Sequence, residues 1–187
     1  MTKKVILAAL LAVATVCGAS AQKFKPAPDF LKGQTEINVV FDYSKVTFDG
    51  DSQAEYYKEK GTAWVSEWEG KRRDNNVTSF STSFNEELQQ IGMSAGEYSS
   101  AAYTIIVDVV DCDFGAYAGP FSVPASLECT LRIVKTGSTE TLASMNLEES
   151  QNPNTVIATP VDFDRIFLAF TEVGEEAGEV LVKALKK

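Results

Sequence analysis

The closing segment narrows the possible folds more than any other part of the chain. Phe163, Ile166, Phe170, Val173, Ala177, Val180 and Ala184 recur at steps of 3, 4, 3, 4, 3 and 4. That spacing puts them on one stripe of an α-helix running to about Leu185, with Asp162 as candidate N-cap. Glu172, Glu175, Glu176 and Glu179 fill the opposite side. Lys183, Lys186 and Lys187 gather at the end where the helix dipole favours cations. A helix with a single apolar stripe needs a second apolar surface to lie against.

Upstream segments supply that surface with a period of two. From Thr35 to Ser44, Ile37, Val39, Phe41 and Tyr43 alternate with Glu36, Asn38, Val40 and Asp42, the pattern of a half-buried strand. Tyr103 to Phe114 is apolar on both faces in its first half, as expected of a central strand. Leu127, Cys129, Leu131 and Ile133 alternate with Glu128, Thr130 and Arg132 in a third strand. Thr141, Ala143, Met145 and Leu147 mark a fourth. Gly and Pro clusters punctuate the chain at Asp49-Gly50-Asp51, Gly115–Pro124, Thr136-Gly137-Ser138 and Asn152–Pro160.

Between the first and second strands the period is helical. Ser52 and Glu55 fit a capping box that starts a helix over about Gln53–Lys60. Gly61 either breaks it or is tolerated. Trp64 and Trp68 lie one turn apart, and Phe80, Phe84, Leu88 and Ile91 follow at helical steps. Asn75-Asn76 is a candidate interruption and Gly92 a C-terminal stop. The order is therefore β-α-β-β-β-α. It predicts one α+β domain over residues 34–187, with helices packed on one face of a mainly antiparallel sheet. Residues 22–33 (QKFKPAPDFLKG) read as an extended lead-in, and no internal repeat or linker interrupts the rest.

Residues 1–21 read as a signal peptide. Lys3 and Lys4 precede an apolar run from Val5 to Val16, and Ala19-Ser20-Ala21 gives the small-x-small pattern that signal peptidase accepts. The run is too short to span a bilayer as a helix. Cys17 competes as a lipid-attachment site. Val16 precedes it and Ala14 stands where Leu is usual, and both departures argue against a lipoprotein. Removing 21 of 187 residues leaves a chain starting at Gln22, with no later run apolar enough for a transmembrane span. It is expected to be exported, to the periplasm or beyond.

Composition closes off several activities. Lys and Arg number 17 against 26 Asp and Glu, a net charge of -9, which argues against nucleic acid and against anionic lipid. The chain has no His, so His-based triads, Cys–His dyads and imidazole metal sites are excluded. There is no P-loop, no G-x-S-x-G, no C-x-x-C and no dinucleotide fingerprint, and no complete motif points to a cofactor or metal.

The stretch TEINVVFDYSKVTFDGDS, the Trp64-x-x-x-Trp68 helix, YTIIVDVV and the closing helix together resemble a group of small secreted proteins from Bacteroides-type bacteria. The resemblance covers most of the chain beyond the signal. It implies export and the order of elements above, and it supplies no catalytic residues. The same order is loosely similar to small periplasmic domains of envelope-assembly lipoproteins, an analogy of fold that does not license function.

A few side-chain groups remain as candidates. Asp108, Asp111 and Asp113 crowd the end of the second strand, Asp111 and Asp113 on one face and Asp108 on the other. They offer paired carboxylates for glycan hydrolysis, or simply a polar strand end. Asp49-Gly50-Asp51-Ser52 offers oxygen ligands for calcium but lacks the distal Glu of an EF-hand. Trp64 and Trp68, with Tyr56 and Tyr57 upstream, are either core or a platform for ligand contact. Asn76-Val77-Thr78 matches a glycosylation sequon.

Cys112 and Cys129 are a possible disulfide or two buried thiols. If the second and third strands form a hairpin in which these residues face each other, the turn centres between Pro120 and Phe121. A slip of two residues separates them. The reading that remains is an exported, non-enzymatic envelope or periplasmic protein, an interaction module for a protein or surface component. Two alternatives stand beside it: a carbohydrate or small-ligand binder through exposed aromatics, and a glycan hydrolase using the strand-end carboxylates.

Overall fold

The computed structural model describes residues 22–117, 123–151 and 161–187. The expected signal segment with Cys17 and Ala19-Ser20-Ala21 lies outside the described residues. So do the expected turn centre at Pro120 and Phe121 and the whole of the Asn152–Pro160 loop.

Among the described residues seven strands form one sheet: β1 (Glu36–Asp42), β2 (Thr47–Phe48), β3 (Asp51–Ser52), β4 (Ser94–Gly96), β5 (Tyr103–Asp113), β6 (Ser126–Lys135) and β7 (Thr141–Ser150). On one side β5 pairs antiparallel with β6, and β6 with β7. On its other side β1 and β2 lie end to end, both parallel to β5, with Val40 opposite Ile106 and Phe48 opposite Cys112. β4 adds parallel to β1, and β3 antiparallel to β2.

The expected single α+β domain forms, with its helices on one face. Its sheet is mixed rather than mainly antiparallel, because three of the six pairings are parallel. The reason is the helical crossover after β1: a chain that returns through helices enters the sheet in its original direction, whereas tight turns reverse it. Three short strands, β2, β3 and β4, are absent from the periodicity because two or three residues carry no readable alternation.

The helices are α1 (Gln53–Glu67), α2 (Arg73–Leu88) and α3 (Asp162–Leu185). Ser52 caps α1 as expected: its hydroxyl accepts the Glu55 N–H at 3.4 Å and donates to the Glu55 carboxylate at 2.5 Å. Gly61 kinks α1 at φ 80°, a left-handed conformation that side chains resist. The break between α1 and α2 is a π-turn over Trp68–Arg72 around Gly70; Asn75 and Asn76 sit inside α2. Gly92 ends the segment in left-handed conformation, as expected. The cap position of α3 is Val161 rather than Asp162. Asp162 is the first helical residue, and its carboxylate accepts from Arg165 at 2.6 Å.

The core lies between sheet and helices. Ile37, Ile105, Val107, Leu127, Leu131 and Ile133 face Phe80, Phe84, Leu88, Ile166, Phe170 and Val173, all almost without solvent contact. α2 and α3 cross closely. A Cβ on Gly174 would stand 2.4 Å from the Phe80 carbonyl oxygen, and the Ser83 hydroxyl donates across the crossing to the Thr171 carbonyl at 2.8 Å. The lead-in, expected to be extended, is packed and includes a 3₁₀ turn over Asp29–Leu31. Lys25 exchanges backbone bonds with Ser144 at 2.9 and 3.1 Å, and Phe24 and Leu31 are buried. Among the described residues no helix is long and apolar enough to cross a membrane.

The β5–β6 hairpin corrects two expectations. Its register shifts between Val109 and Asp111, leaving Val110 as a bulge. Cys129 therefore faces Val109, and Cys112 faces Leu127. Both thiols are buried and free, so the possible disulfide between Cys112 and Cys129 is not formed. Burial pushes both thiols well above the usual range. The extra residue also turns Asp111 and Asp113 onto the face that already carries Asp108, where alternation alone puts Asp108 opposite them.

Candidate functional site

The side of the sheet away from the helices carries the most organised polar arrangement. Strand alternation that buries Val107, Leu131 and Met145 sends Asp108, Thr130, Arg132 and Asn146 the other way. Arg132 grips Asp108 with two donors, Nε and Nη2, the latter at 2.8 Å from Oδ1. That fork leaves three of the guanidinium's five N–H donors for other partners. Thr130 donates to Asn146 at 3.0 Å, and Asn38 to Thr104 at 3.1 Å.

Beside this pair lies a hollow of about 530 Å³, lined by Asp42, Ser44, Lys45, Asp108, Val110, Thr130 and Arg132. Ser44 donates its N–H to Asp42 at 2.8 Å, and this bonding, helped by Arg132, holds the Asp42 carboxyl below the usual range. The Asp108 partner and burial act oppositely on Arg132, and the bond to Asp108 prevails, raising its pKa. The hollow thus presents fixed charges of both signs. Val40 and Val110 add exposed apolar surface nearby. A row of acids, Asp111, Glu128 and Glu148, crosses the same face at neighbouring positions of β5, β6 and β7.

The residues singled out by sequence are distributed elsewhere. Trp68 is fully buried and Trp64 half-buried in a cluster with Phe48, Tyr56, Phe114 and Phe163; the two indoles stack 5.8 Å apart. Both indole nitrogens are buried. Trp64 and Trp68 therefore pack into the core against Phe48 of β2 and Phe114 rather than forming an exposed platform. Asp111 accepts from the Thr47 hydroxyl and, at 3.4 Å, from the Gly50 N–H. Asp113 accepts the Gly115 N–H at 2.7 Å. Both carboxylates are engaged in fastening backbone.

Asp49 is also committed: it accepts from Phe114 N–H at 2.8 Å and from the Tyr56 hydroxyl at 2.9 Å. Burial raises the Asp49 carboxyl and, together with that carboxylate, the Tyr56 hydroxyl. Asn76 of the sequon is 1% exposed, out of reach of a glycosylating enzyme on the folded chain. The sequence alone does not reveal the Arg132–Asp108 pair, because only the β5–β6 register brings residues 24 apart together. Arg132 at a polar position of an alternating strand was its single visible trace.

No protein-family model matches the chain, and no curated protein does. Among solved structures it is similar to the PelC dodecamer of Paraburkholderia phytofirmans, at 8% identity and TM-score 0.42, over 83% of this chain and 96% of that one. A point variant of the same protein gives 7% identity and TM-score 0.41, over 83% and 94%. A Xanthomonas campestris protein of the DUF330 family gives 11% identity and TM-score 0.40, over 81% and 85%. The likeness is remote.

Proposed function

We propose that the chain is an exported, non-enzymatic envelope protein, one of the small secreted proteins of Bacteroides-type bacteria, and that it works as an interaction module. The observation that carries this reading is the open sheet face: fixed charges of both signs, exposed valines and a hollow, uncovered among the described residues. Mixed charge with apolar surface suits a protein or surface component better than a small apolar ligand. The acids at the strand end hold backbone, which supports a structural rather than a hydrolytic role for them. Export rests on the basic, apolar and small-residue regions of residues 1–21.

The test is capture from a native envelope extract by the chain starting at Gln22, repeated with Lys45→Glu and Thr130→Arg. A saturable partner lost with both variants supports the reading, and equal capture by variants and wild type overturns it. Secreted material is expected to begin at Gln22; a lipid-modified Cys17 would sink the idea of a free product. On a glycan panel no turnover is expected, and an activity abolished by Asp111→Asn would overturn the non-enzymatic assignment.

A further inference from the structure

The edge of the sheet beyond β1 is closed at its two ends and open between them. At one end, Asn85 of α2 serves β4 as a neighbouring strand would: its amide donates to the Ala95 carbonyl at 2.8 Å and accepts the Ala95 N–H at 2.7 Å. At the other end β3 pairs with β2. Between them β1 outruns β4. Their pairing stops where Asn38 meets Gly96, and the chain then turns back, with Tyr98 N–H on the Gly96 carbonyl at 2.9 Å.

From Val39 to Asp42, β1 is paired on its β5 edge alone among the described strands. The Ser94 N–H donates to the Thr35 carbonyl at 2.9 Å, which fixes the alternation. Odd-numbered residues of β1 direct their backbone groups toward β4 and even-numbered ones toward β5. The N–H and C=O of Phe41 therefore face a slot that holds no described strand. The slot is about 350 Å³ and is lined by Val40, Phe41, Glu97 and, from α2, Asp74, Val77 and Ser81.

We propose that this slot receives an extended, lysine- or arginine-bearing segment of a partner protein by strand addition to β1. This rests on the interaction-module reading and names the partner's chemistry. Open edges template extended chains because main-chain groups supply the affinity and alternate side chains the specificity. Here one set of alternate side chains would meet Asp74 and Val77 on α2 and the other Val40 on the open face, with Glu97 also in the lining. Both acids are exposed, and neither forms an ion pair among the described residues. The nearest cation of α2, Arg73, sits over the Tyr43 ring at 4.1 Å. A second copy of this chain is the wrong occupant, since it would bring its own acids and a net charge of -9.

The experiment uses the chain from Gln22 with a synthetic octapeptide of alternating Val and Lys, read by fluorescence anisotropy and by exchange of the Phe41 amide. Binding is expected to slow Phe41 exchange. Combined Asp74→Lys and Glu97→Lys is expected to weaken binding roughly tenfold. Ser81→Trp, which fills the slot from a half-exposed helix position, is expected to abolish binding at unchanged Tm. Peptide N-methylated at alternate residues should not bind. Binding that survives N-methylation or leaves Phe41 exchange unchanged would overturn strand addition in favour of plain charge attraction, and absence of binding would overturn it outright. In either case, partner capture that depends on Lys45 and Thr130 would leave the interaction-module reading standing.

Discussion

Glu149, near the end of β7, sits among like charges. Burial raises its carboxyl above the usual range; Glu176, Glu172 and Glu148 push the same way, against a hydrogen bond donated by Gln22 at 3.3 Å. A carboxyl raised in the folded state favours the protonated form. Its contribution to stability is full below the unfolded value, near 4.5, and is lost as pH rises through the folded value. At neutral pH the ionised side chain therefore opposes folding. Glu149→Gln keeps the acceptor for Gln22 and removes the charge. Because the site is only partly screened from solvent, the gain in Tm at neutral pH should be about 1–2 °C. The gain should vanish below about pH 4, where wild type is already protonated. Paired thermal melts at the two pH values check this, and an equal gain at both would mean that charge is not the cause.

The α2–α3 crossing depends on missing side chains. Gly174 meets the Phe80 carbonyl oxygen and the Ser83 hydroxyl, both 2.4 Å from where a Cβ would stand, while at Gly178 the nearest contact is the Glu87 Cβ at 2.6 Å. Gly174→Ala must push the helices apart, at a cost of about 1–3 kcal/mol that exceeds the propensity gain from Ala. Urea unfolding should show that loss, and no loss would mean the crossing is loose. The apolar 3-4 pattern of α3 was fully legible, since each expected position except Ala184 is buried and Ala184 is half-buried. Which helix it would meet was not, because glycine on a stripe says only that something comes close. The strands behave likewise. Alternation located the four longer strands, but the parallel partnership of β1 and β5 joins residues 66 apart, as in the Asn38–Thr104 bond, and has no local signature. The bulge did leave one: apolar residues fall at Ile105, Val107 and Val109, then at Cys112 and Phe114, and that step of three marks the extra residue. The open sheet face followed from the same pattern only as polarity; the Arg132–Asp108 fork needed the shifted register.

At the scale of the molecule, the lead-in decides where the folded unit starts. Alternation and helical period begin only after Gly33, so a boundary at residue 34 is the natural reading of the pattern. Burial sets it earlier. Phe24 is 4% exposed and Leu31 0%, Phe30 packs on Tyr103 at 5.1 Å, and Lys25 extends the sheet beyond β7. Two large side chains buried at about 1.5–3 kcal/mol each amount to roughly 3–6 kcal/mol. A domain of this size is stable by only about 5–15 kcal/mol in total. A chain starting at residue 34 should therefore melt far below one starting at Gln22, or fail to fold, and Leu31→Ala alone should cost about 2–5 kcal/mol. Circular dichroism melts of the three chains settle it, and equal Tm values would show that the lead-in merely lies on the surface. The same logic bears on processing. Cleavage after Ala21 would release the chain at Gln22, two residues before the first core side chain among the described residues. A cut even a few residues later would take Phe24 and Lys25 with it, removing the isolated bridge that Lys25 makes to Ser144 of β7.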